Sequence, residues 1–392
     1  MFESLESRML LSSVSGFTPS EIRQAYGFSL EVIPNSSVAA NGKGETIAII
    51  DAYSDPNIQS DLKTFDAEFG LPNNVKGQPV LTIATPDGQP SNNASWAGEI
   101  SLDVEWAHAI APKANILLVE AKSESLTDLL SAMNYARSQP GVVAVSMSWG
   151  GSEDSSQTAS DSDFTTPSGH IGDNGLAGGI TFVAASGDDG PGAIWPASSK
   201  NVLAVGGTSL YVNSDGSYQT EQAWSDSGGG YSSIENTTTP DVAYDGDPNT
   251  GFAVYDSVPY QGSSGWQVYG GTSAGTPQWA ALVAIVDQGR ALQGLGSLDG
   301  ATQTIPAIYS LPSADFNTDS GVGLGSPVAN SLNNDLIPAT ITSGAGKTGN
   351  TTGNNNNHDG NNFPLPGFPF PGLPWPFGGS GSGHHRFSDI LG

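Results

Sequence analysis

Four short apolar runs, separated or followed by helix-like segments, constrain the fold of this chain more than any other sequence feature. Each run has the length of a buried strand and is mostly apolar, as strands covered on both faces are. Strands that alternate with helices favour a doubly wound, mostly parallel α/β sheet, whose functional residues follow the carboxyl ends of the strands. The predicted strands are Thr46–Ala52, Asn115–Ala121, Val142–Ser148 and Ile180–Ser186, and the predicted helices are Ser60–Phe69, Glu99–Ala111, Leu126–Ser138 and Ala274–Leu292.

The acidic composition narrows the range of partners. The 392 residues include 12 Lys and Arg against 39 Asp and Glu, so the formal net charge is −27. That charge repels phosphate groups, so we expect neither nucleic acids nor anionic membranes as partners, and no apolar run is long enough to span a membrane. The absence of Cys excludes disulfides and thiolate chemistry. Because only 13% of the residues are charged, we expect an exported or extracellular protein that works at low pH.

Both ends of the chain differ from its middle. Residues 1–16 form a leader in which Leu5, Glu6, Arg8, Leu10 and Leu11 resemble a short export motif of certain bacteria, and a leader without function is the alternative. After Ile337 a low-complexity tail (residues 338–392) is first rich in Gly and Asn and then alternates Pro with aromatic residues. Such a tail cannot build a packed core, although a Pro-spaced aromatic tract can attach to a surface or a partner.

A serine at the start of a helix is the first candidate for chemistry. The sequence GGTSAGTP (residues 270–277) precedes an apolar helix, and its two glycines allow a tight turn before Ser273. We also expect Pro277 to lie in the first turn of that helix. A serine at this place can simply cap the helix. A nucleophilic serine there would gain backbone N–H groups and the helix dipole for a developing oxyanion, but it needs a base.

Carboxylates are better candidates for that base than histidines. Outside the tail the only histidines are His108 and His170, and neither stands in a typical catalytic sequence. Glu99 and Asp103 are four residues apart in a helix-like segment, so they share one face a single turn apart. Two like charges at that spacing raise each other's pKa, and a partly buried pair of carboxyls can act as an acid or base below neutral pH.

The sequence SGDDG follows the fourth predicted strand and places Asp188 at the carboxyl end of the sheet. When protonated, this side chain could donate a hydrogen bond to an oxyanion. An aspartate in an ordinary turn is the alternative. Taken together, the candidates supply a serine nucleophile, a carboxylate base with a carboxylate partner, and an acid donor.

Residues 17 to about 333 resemble the sedolisin family of serine-carboxyl peptidases, which have the subtilisin-like fold. Seven segments agree with the family in order, and this collinearity makes the resemblance specific. The matching segments are Phe17–Gly27, Glu99–Asp103, Ser148–Gly151, Ala185–Asp188, Gly228–Ser232, Pro240–Ala243 with Asp247–Gly251, and Gly271–Ser273.

The resemblance implies a sedolisin-like peptidase domain at residues 17–337. It implies an exported, monomeric, acid-active serine endopeptidase whose substrates are proteins or peptides. It implies Ser273 as nucleophile, Glu99 as general base, Asp103 as its partner and Asp188 as oxyanion donor. Ser148, Trp149 and Gly150 are implied to line the substrate cleft. No organic cofactor is implied.

Three features depart from the family. Sedolisins usually have a long N-terminal prodomain, whereas only about sixteen residues precede the matching part here, so we expect either a variant without a prodomain or a truncated start. The calcium loop is shortened to Asp315, Asp319 and a closing Gly-Leu-Gly-Ser-Pro. Calcium needs six to eight oxygen ligands, so the sequence argues against a standard site on these two aspartates. Asp51 stands where some relatives have a glutamate linked to the catalytic carboxylates, and a strand-capping role is the alternative.

Three other functions remain as alternatives. A sedolisin-like surface or binding module without activity would explain the short N-terminal region and the apolar tail, but not the complete set of four catalytic side chains. A dinucleotide-binding enzyme would need a Gly-x-Gly-x-x-Gly sequence after the first strand, where the chain has Tyr53-Ser54-Asp55-Pro56. A peptidase with a histidine base is disfavoured because no histidine stands in the right setting.

Overall fold

A computed structural model describes residues 14–28, 32–34, 36–75, 77–172, 175–337 and 384–385. The export-type motif and almost all of the tail lie outside these residues. The helices are α1 (Pro19–Ala25), α2 (Ile58–Phe69), α3 (Ala94–Ile110), α4 (Leu126–Ser138), α5 (Thr272–Leu292), α6 (Ile305–Ile308) and α7 (Ala329–Leu336). Short 3₁₀ segments cover Gln157–Phe164 and Ser313–Asp315, and a π-helical turn covers Gly300–Thr304.

The strands up to the middle of the chain are β1 (Thr46–Ala52), β2 (Asn74–Val75), β3 (Gln78–Pro79), β4 (Leu81–Ala84), β5 (Asn115–Ala121), β6 (Val142–Met147), β7 (Gly151–Ser152), β8 (Thr181–Ala185) and β9 (Ile194–Trp195). The remaining strands are β10 (Val202–Val212), β11 (Tyr218–Ala223), β12 (Gly230–Ser232), β13 (Thr237–Thr239), β14 (Val242–Asp245), β15 (Phe252–Tyr260), β16 (Ser263–Tyr269), β17 (Phe316–Asn317), β18 (Ser326–Pro327) and β19 (His384–His385).

Eight strands form the central sheet, in the order β11-β10-β8-β6-β1-β5-β4, with β14 added beside β10. Every pair in this sheet is parallel except β10 with β11. The strand β10 changes partners along its length, pairing first with β8, then with β14 and finally with β11. The expectation of a mostly parallel, doubly wound sheet is therefore confirmed.

Helices cover both faces of the sheet. Ile47 and Ile49 of β1 belong to the larger hydrophobic cluster, which contains most of the buried apolar residues of α3 and α5. Ala48 and Ile50 belong to the second cluster, which contains the buried residues of α4. Because successive strand residues point to opposite faces, the odd-numbered positions of β1 face α3 and α5. Asp51 continues that odd-numbered row toward the two helices.

The predicted elements are recovered with two instructive differences. The helix α3 begins at Ala94, five residues before the predicted start, because the Asn93 side chain accepts hydrogen bonds from the N–H groups of Ser95 and Trp96 and caps the helix there. The helix α5 begins at Thr272, so Pro277 is its sixth residue and lies beyond the first turn, contrary to expectation. None of the helices among the described residues is both long and apolar enough to cross a membrane.

Candidate active site

Ser273 lies in the first turn of α5, at the carboxyl end of the central sheet. Gly271 precedes the helix with φ 108°, a left-handed value that glycine adopts without strain, and it therefore permits the abrupt turn from β16 into α5. The first backbone N–H groups of a helix have no partners within it and carry its positive dipole end. Ser273 is completely buried. The candidate nucleophile thus stands where a developing negative charge would be stabilised.

Pro277 leaves a helix carbonyl open beside the serine. In a regular helix the N–H of residue 277 would donate to the carbonyl of residue 273, but proline has no N–H. The Ser148 hydroxyl instead approaches that Ser273 carbonyl at 3.4 Å and also donates to Oδ1 of Asp103 at 3.0 Å. Ser148 therefore ties the serine-bearing turn of α5 to the carboxyl on α3.

Glu99 and Asp103 project from one face of α3 toward that turn, and α3 packs against α5. Glu99 is 1% exposed and Asp103 is fully buried. The Ser273 hydroxyl is close enough to lower the pKa of Glu99 in part, yet it has no hydrogen bond of standard geometry, and neither has Oε1 of Glu99. Contacts of catalytic groups are often long before substrate is bound. The structure brings together the three side chains that the sequence singled out as nucleophile, base and partner.

Burial dominates the electrostatics of this pair. Burial raises the pKa of Glu99 well above its usual value, the Ser273 hydroxyl opposes this effect, and the charges of Asp51 and Asp188 reinforce it. Burial likewise raises the pKa of Asp103, with further increases from Asp51 and Glu99 and a decrease from the Ser148 hydrogen bond. Repulsion between two neighbouring buried carboxylates opposes loss of the second proton, so we expect the pair to share one proton at acid pH.

Asp51 is a third carboxyl of the same cluster, at the position where some relatives have a glutamate linked to the catalytic carboxylates. It is fully buried, both of its oxygens lack hydrogen-bond partners, and its charge acts on both Glu99 and Asp103. Burial, followed by the charge of Glu120, raises the pKa of Asp51 to about 8. The alternation of β1 was the signal in the sequence: position 51 falls on the face that packs against α3.

Replacing Asp51 with asparagine is expected to flatten the dependence of stability on pH. An acid whose pKa is higher in the folded than in the unfolded state binds more protons when folded. Its contribution to stability is therefore complete below about pH 4 and is lost as pH rises toward 8, at up to about 1.4 kcal/mol per pH unit. Urea unfolding at pH 4, 6 and 8 of Ser273→Ala protein, with and without Asp51→Asn, measures this loss. The exposed Asp87→Asn is the matched control, and equal pH slopes with and without Asp51 would contradict the assignment.

The Asp188 side chain is held against Thr272, the first residue of α5. Its Oδ1 accepts hydrogen bonds from both the backbone N–H and the hydroxyl of Thr272, each at 2.8 Å. The Thr272 hydroxyl in turn accepts from the N–H of Gly187 at 3.1 Å, so the loop after β8 and the start of α5 are joined. Asp188 is 3% exposed and its charge raises the pKa of Glu99. All four predicted catalytic residues therefore lie at one place.

The predicted cleft residues point largely into the protein. The Ser148 hydroxyl faces Asp103, and the Trp149 indole donates to the carbonyl of Ile50 at 3.0 Å. A Cβ on Gly150 would approach the tip of the Ile194 side chain to 2.6 Å and the carbonyl oxygen of Trp195 to 3.0 Å, so a side chain there would displace Ile194. The part of residues 148–150 that can contact a substrate is their backbone, and the cleft assignment stays a prediction.

His108 and His170, the two histidines outside the tail, belong to other parts of the fold. Nε2 of His108 lies 3.2 Å from Oδ1 of Asp66, and Nε2 of His170 lies 2.8 Å from the carbonyl of Val142. The charged groups that raise the pKa of Glu99 are instead the carboxyls of Asp51 and Asp188. The expectation that no histidine serves as base agrees with these contacts.

The two candidate calcium ligands have different neighbours. Asp319 accepts hydrogen bonds from the Tyr218 hydroxyl, from the Thr220 hydroxyl at 2.5 Å and from the N–H of Glu221 at 3.0 Å. Asp315 accepts from the Ser331 hydroxyl. These bonds hold the loop against β11 and α7 respectively. They give Asp319 a structural role. That Asp315 and Asp319 do not form a standard calcium site stays a prediction from the shortened loop.

Comparison with known proteins places this geometry in a family context. The family model described as Subtilase family matches residues 42–298, more than half of the chain. The chain is 29% identical to kumamolisin from Bacillus sp. (strain MN-32) over 398 residues, and 28% identical to sedolisin from Pseudomonas sp. (strain 101) over 356 residues. These matches confirm the resemblance to the sedolisins. They cover 85% and 79% of this chain but only 66% and 56% of the two relatives.

A solved structure shows the same fold. It is Pseudomonas sedolisin, a serine-carboxyl proteinase complexed with two molecules of pseudo-iodotyrostatin, and it matches with a TM-score of 0.66 at 24% sequence identity. The match covers 82% of this chain and 98% of the solved chain. The subtilisin-like arrangement of sheet and helices is thereby confirmed.

Proposed function

This chain belongs to the subtilase family, and from that membership and the site geometry we propose that it is an acid-active serine-carboxyl endopeptidase. Its substrates are proteins or peptides. The observation that carries the proposal is the Ser273 hydroxyl, which has no hydrogen-bond partner of standard geometry and lies at a helix N-terminus beside the buried Glu99–Asp103 pair. A serine that only capped its helix would use its hydroxyl for the cap, and α5 has no side-chain cap.

In the proposed reaction, Ser273 Oγ attacks the carbonyl carbon of the scissile peptide bond while Glu99 takes the hydroxyl proton. The carbonyl electron pair moves to its oxygen, which becomes the oxyanion. When that intermediate collapses, the C–N bond breaks and Glu99 returns the proton to the leaving amine, so an ester to Ser273 remains. Water then repeats the sequence with Glu99 as base and releases the acid product. Asp103, held by Ser148, orients Glu99 and shares its proton.

Asp188 supplies the proposed oxyanion donor. Both hydrogen bonds from Thr272 go to Oδ1, which suits a carboxylic acid whose Oδ1 is the carbonyl oxygen and whose Oδ2 carries the proton. A protonated Oδ2 and the backbone N–H groups at the start of α5 would together stabilise the negative oxygen. Loss of one such donor typically costs at least about a hundredfold in rate.

The proposed chemistry predicts a bell-shaped pH profile with its maximum below neutrality. The Glu99–Asp103 pair must lose one proton before Glu99 can act as base, whereas Asp188 must keep its proton. The raised pKa values of Glu99 and Asp103 oppose the loss of a second proton from the pair. Hydrolysis of an acid-denatured protein between pH 3 and 9, with product sequencing, measures both the profile and internal cleavage. Activity that still rises above pH 8 would contradict the carboxylate scheme.

Two substitutions at Asp188 make this test specific. Asp188→Ala removes the donor and is expected to lower kcat/KM at least about a hundredfold at every pH. In Asp188→Asn the amide donates at any pH, so part of the activity is expected to return and the alkaline limb is expected to move upward. Equal profiles for the wild type and Asp188→Ala would remove Asp188 from the mechanism.

The same proposal extends to where the protein works. An acid pH optimum and a surface with few charged residues suit export to an acidic extracellular medium. Detecting the protein in the culture medium of its native host, and measuring its mass in solution, would test the proposed export and the proposed monomer.

A further inference from the structure

Three buried aspartates meet outside the active site. Asp55 follows β1, Asp61 lies in the first turn of α2, and Asp256 lies in β15. Their exposed fractions are 2%, 2% and 0%. One carboxylate oxygen from each lies within 4.8 Å of one oxygen from each of the others. Three chain segments that are distant in sequence therefore converge on one acidic point.

The spacing of these oxygens suits a cation. Any three atoms no more than 4.8 Å apart share a point within about 2.8 Å of each of them. Calcium–oxygen distances are roughly 2.3–2.6 Å, so a small inward rotation of the side chains would complete three bonds to one ion. Carboxylate and hydroxyl oxygens are hard ligands that favour such an ion over softer transition metals.

The hydrogen bonds of the three carboxylates leave ligand positions unused. Oδ2 of Asp256 is buried without a partner, although its Oδ1 accepts from the N–H of Val258 at 2.8 Å. Oδ2 of Asp55 has one long contact, from Ser101 at 3.4 Å. Asp61 directs Oδ2 to Ser257, whereas its Oδ1 has only a 3.3 Å contact from Ser60. One oxygen of each aspartate is thus weakly bound or unbound by protein donors.

No basic side chain balances this charge. Among the described residues, none of the three aspartates forms an ion pair with Lys, Arg or His. A fourth carboxyl adds to the imbalance: Glu105 is fully buried, its Oε1 lacks a partner, and its charge interacts with those of Asp61 and Asp256. An uncompensated group of buried carboxylates is costly unless a cation or protons neutralise it.

We propose that Asp55, Asp61 and Asp256 supply three oxygen ligands of a calcium site that joins the β1–α2 connection, α2 and β15, with their second carboxylate oxygens and hydroxyl, carbonyl or water oxygens completing the coordination. The bound ion would replace mutual repulsion with attraction and would cross-link three segments of the fold. The site is separate from the loop containing Asp315 and Asp319. It is also independent of the proposed peptidase function, because it requires no substrate and no catalytic residue.

Calcium titration of the full chain carrying Ser273→Ala tests this site without interference from self-cleavage. After removal of metal with EDTA and dialysis at pH 7.5, calorimetry with CaCl₂ is expected to show binding with a Kd of about 10⁻⁶ to 10⁻⁴ M. Excess calcium is expected to raise the melting temperature by several degrees, because the ion binds only the folded protein.

Asp256→Asn in the same background distinguishes this site from others. It preserves shape while removing one charge, so it is expected to weaken calcium binding at least tenfold and to abolish the thermal shift. Without calcium it is expected to melt no lower than its parent, because repulsion is relieved. If this variant does not fold, Asp55→Asn carries the same expectations.

Asp315→Asn serves as the matched control and should keep both binding and thermal shift. Loss of calcium binding in Asp315→Asn with retention in Asp256→Asn would overturn the proposal, and so would a folded parent that binds no calcium. The second result would mean that protons neutralise the cluster. Neither result bears on peptide hydrolysis, so failure of this site and failure of the proposed function are distinguishable.

Discussion

Replacing Ser273 with alanine is expected to lower acid-phase kcat/KM by on the order of 10⁴- to 10⁶-fold while the protein remains folded. The substitution removes the nucleophilic oxygen, and no other step of the proposed reaction can replace the ester that it forms. The hydroxyl has no hydrogen-bond partner of standard geometry, so its loss leaves no buried donor newly unpaired. Initial rates on a denatured protein at the optimum pH, corrected for active protein, measure the effect.

Unfolding in urea provides the control for this variant. Its midpoint should match that of the wild type or exceed it, because the removed hydroxyl makes no hydrogen bond of standard geometry. Residual hydrolysis within tenfold of wild type would show that Ser273 is not the nucleophile. Absence of hydrolysis in the folded wild type at every pH would favour the alternative of a binding module without activity.

Glu99→Gln is expected to reduce kcat/KM by about 10³- to 10⁴-fold. Glutamine has the same shape and can still contact Ser273, but its amide cannot take the serine proton at any pH used. The variant should be at least as stable as the wild type near neutral pH, since burial raises the pKa of Glu99 and a neutral side chain at this place removes the cost of ionising it. Steady-state kinetics across the pH range measure the loss of rate.

Glu45→Gln is the matched control for that substitution. Glu45 is also a buried glutamate, 1% exposed, but it directly precedes β1 and so lies at the end of the sheet away from Ser273. Its replacement should leave kcat/KM within about threefold of wild type. Similar losses in both variants would indicate a general effect of removing buried charge, and a Glu99→Gln enzyme with a normal pH profile would exclude Glu99 as the base.

The elements that the sequence predicted best are those with a single dominant pattern. The strands β1 and β5 and the helix α4 have the predicted bounds, because apolar runs and an amphipathic helix record their burial directly. The spacing of Glu99 and Asp103 likewise determines their shared face once the segment is helical. The long strand β10 was not predicted: its first nine residues are all buried, but the Gly-Gly-Thr-Ser sequence at 206–209 interrupts its apolar run.

The residues that the sequence could not assign are those whose meaning depends on distant neighbours. The resemblance connected Asp51 with the catalytic carboxylates, but a strand cap remained the alternative until the packing of α3 placed it beside Glu99 and Asp103. Asp256 belongs to a strand about 200 positions from Asp55, so no local pattern relates them. The orientation of Ser148 toward Asp103 also depends on how α3 and α5 meet. Residues that are distant in sequence meet only in the packed fold, so their spacing along the chain does not predict these contacts.

The most direct test of the central claim is to capture the acyl-enzyme. The protein is mixed with a peptide 4-nitrophenyl ester near pH 4, quenched with strong acid within the first turnover and analysed by intact mass and peptide mapping. We predict a mass increase of one acyl group, located on Ser273 and absent from Ser273→Ala. Release of 4-nitrophenol during turnover with every Ser273-containing peptide unmodified, or with the acyl group on another residue, would contradict the proposed mechanism.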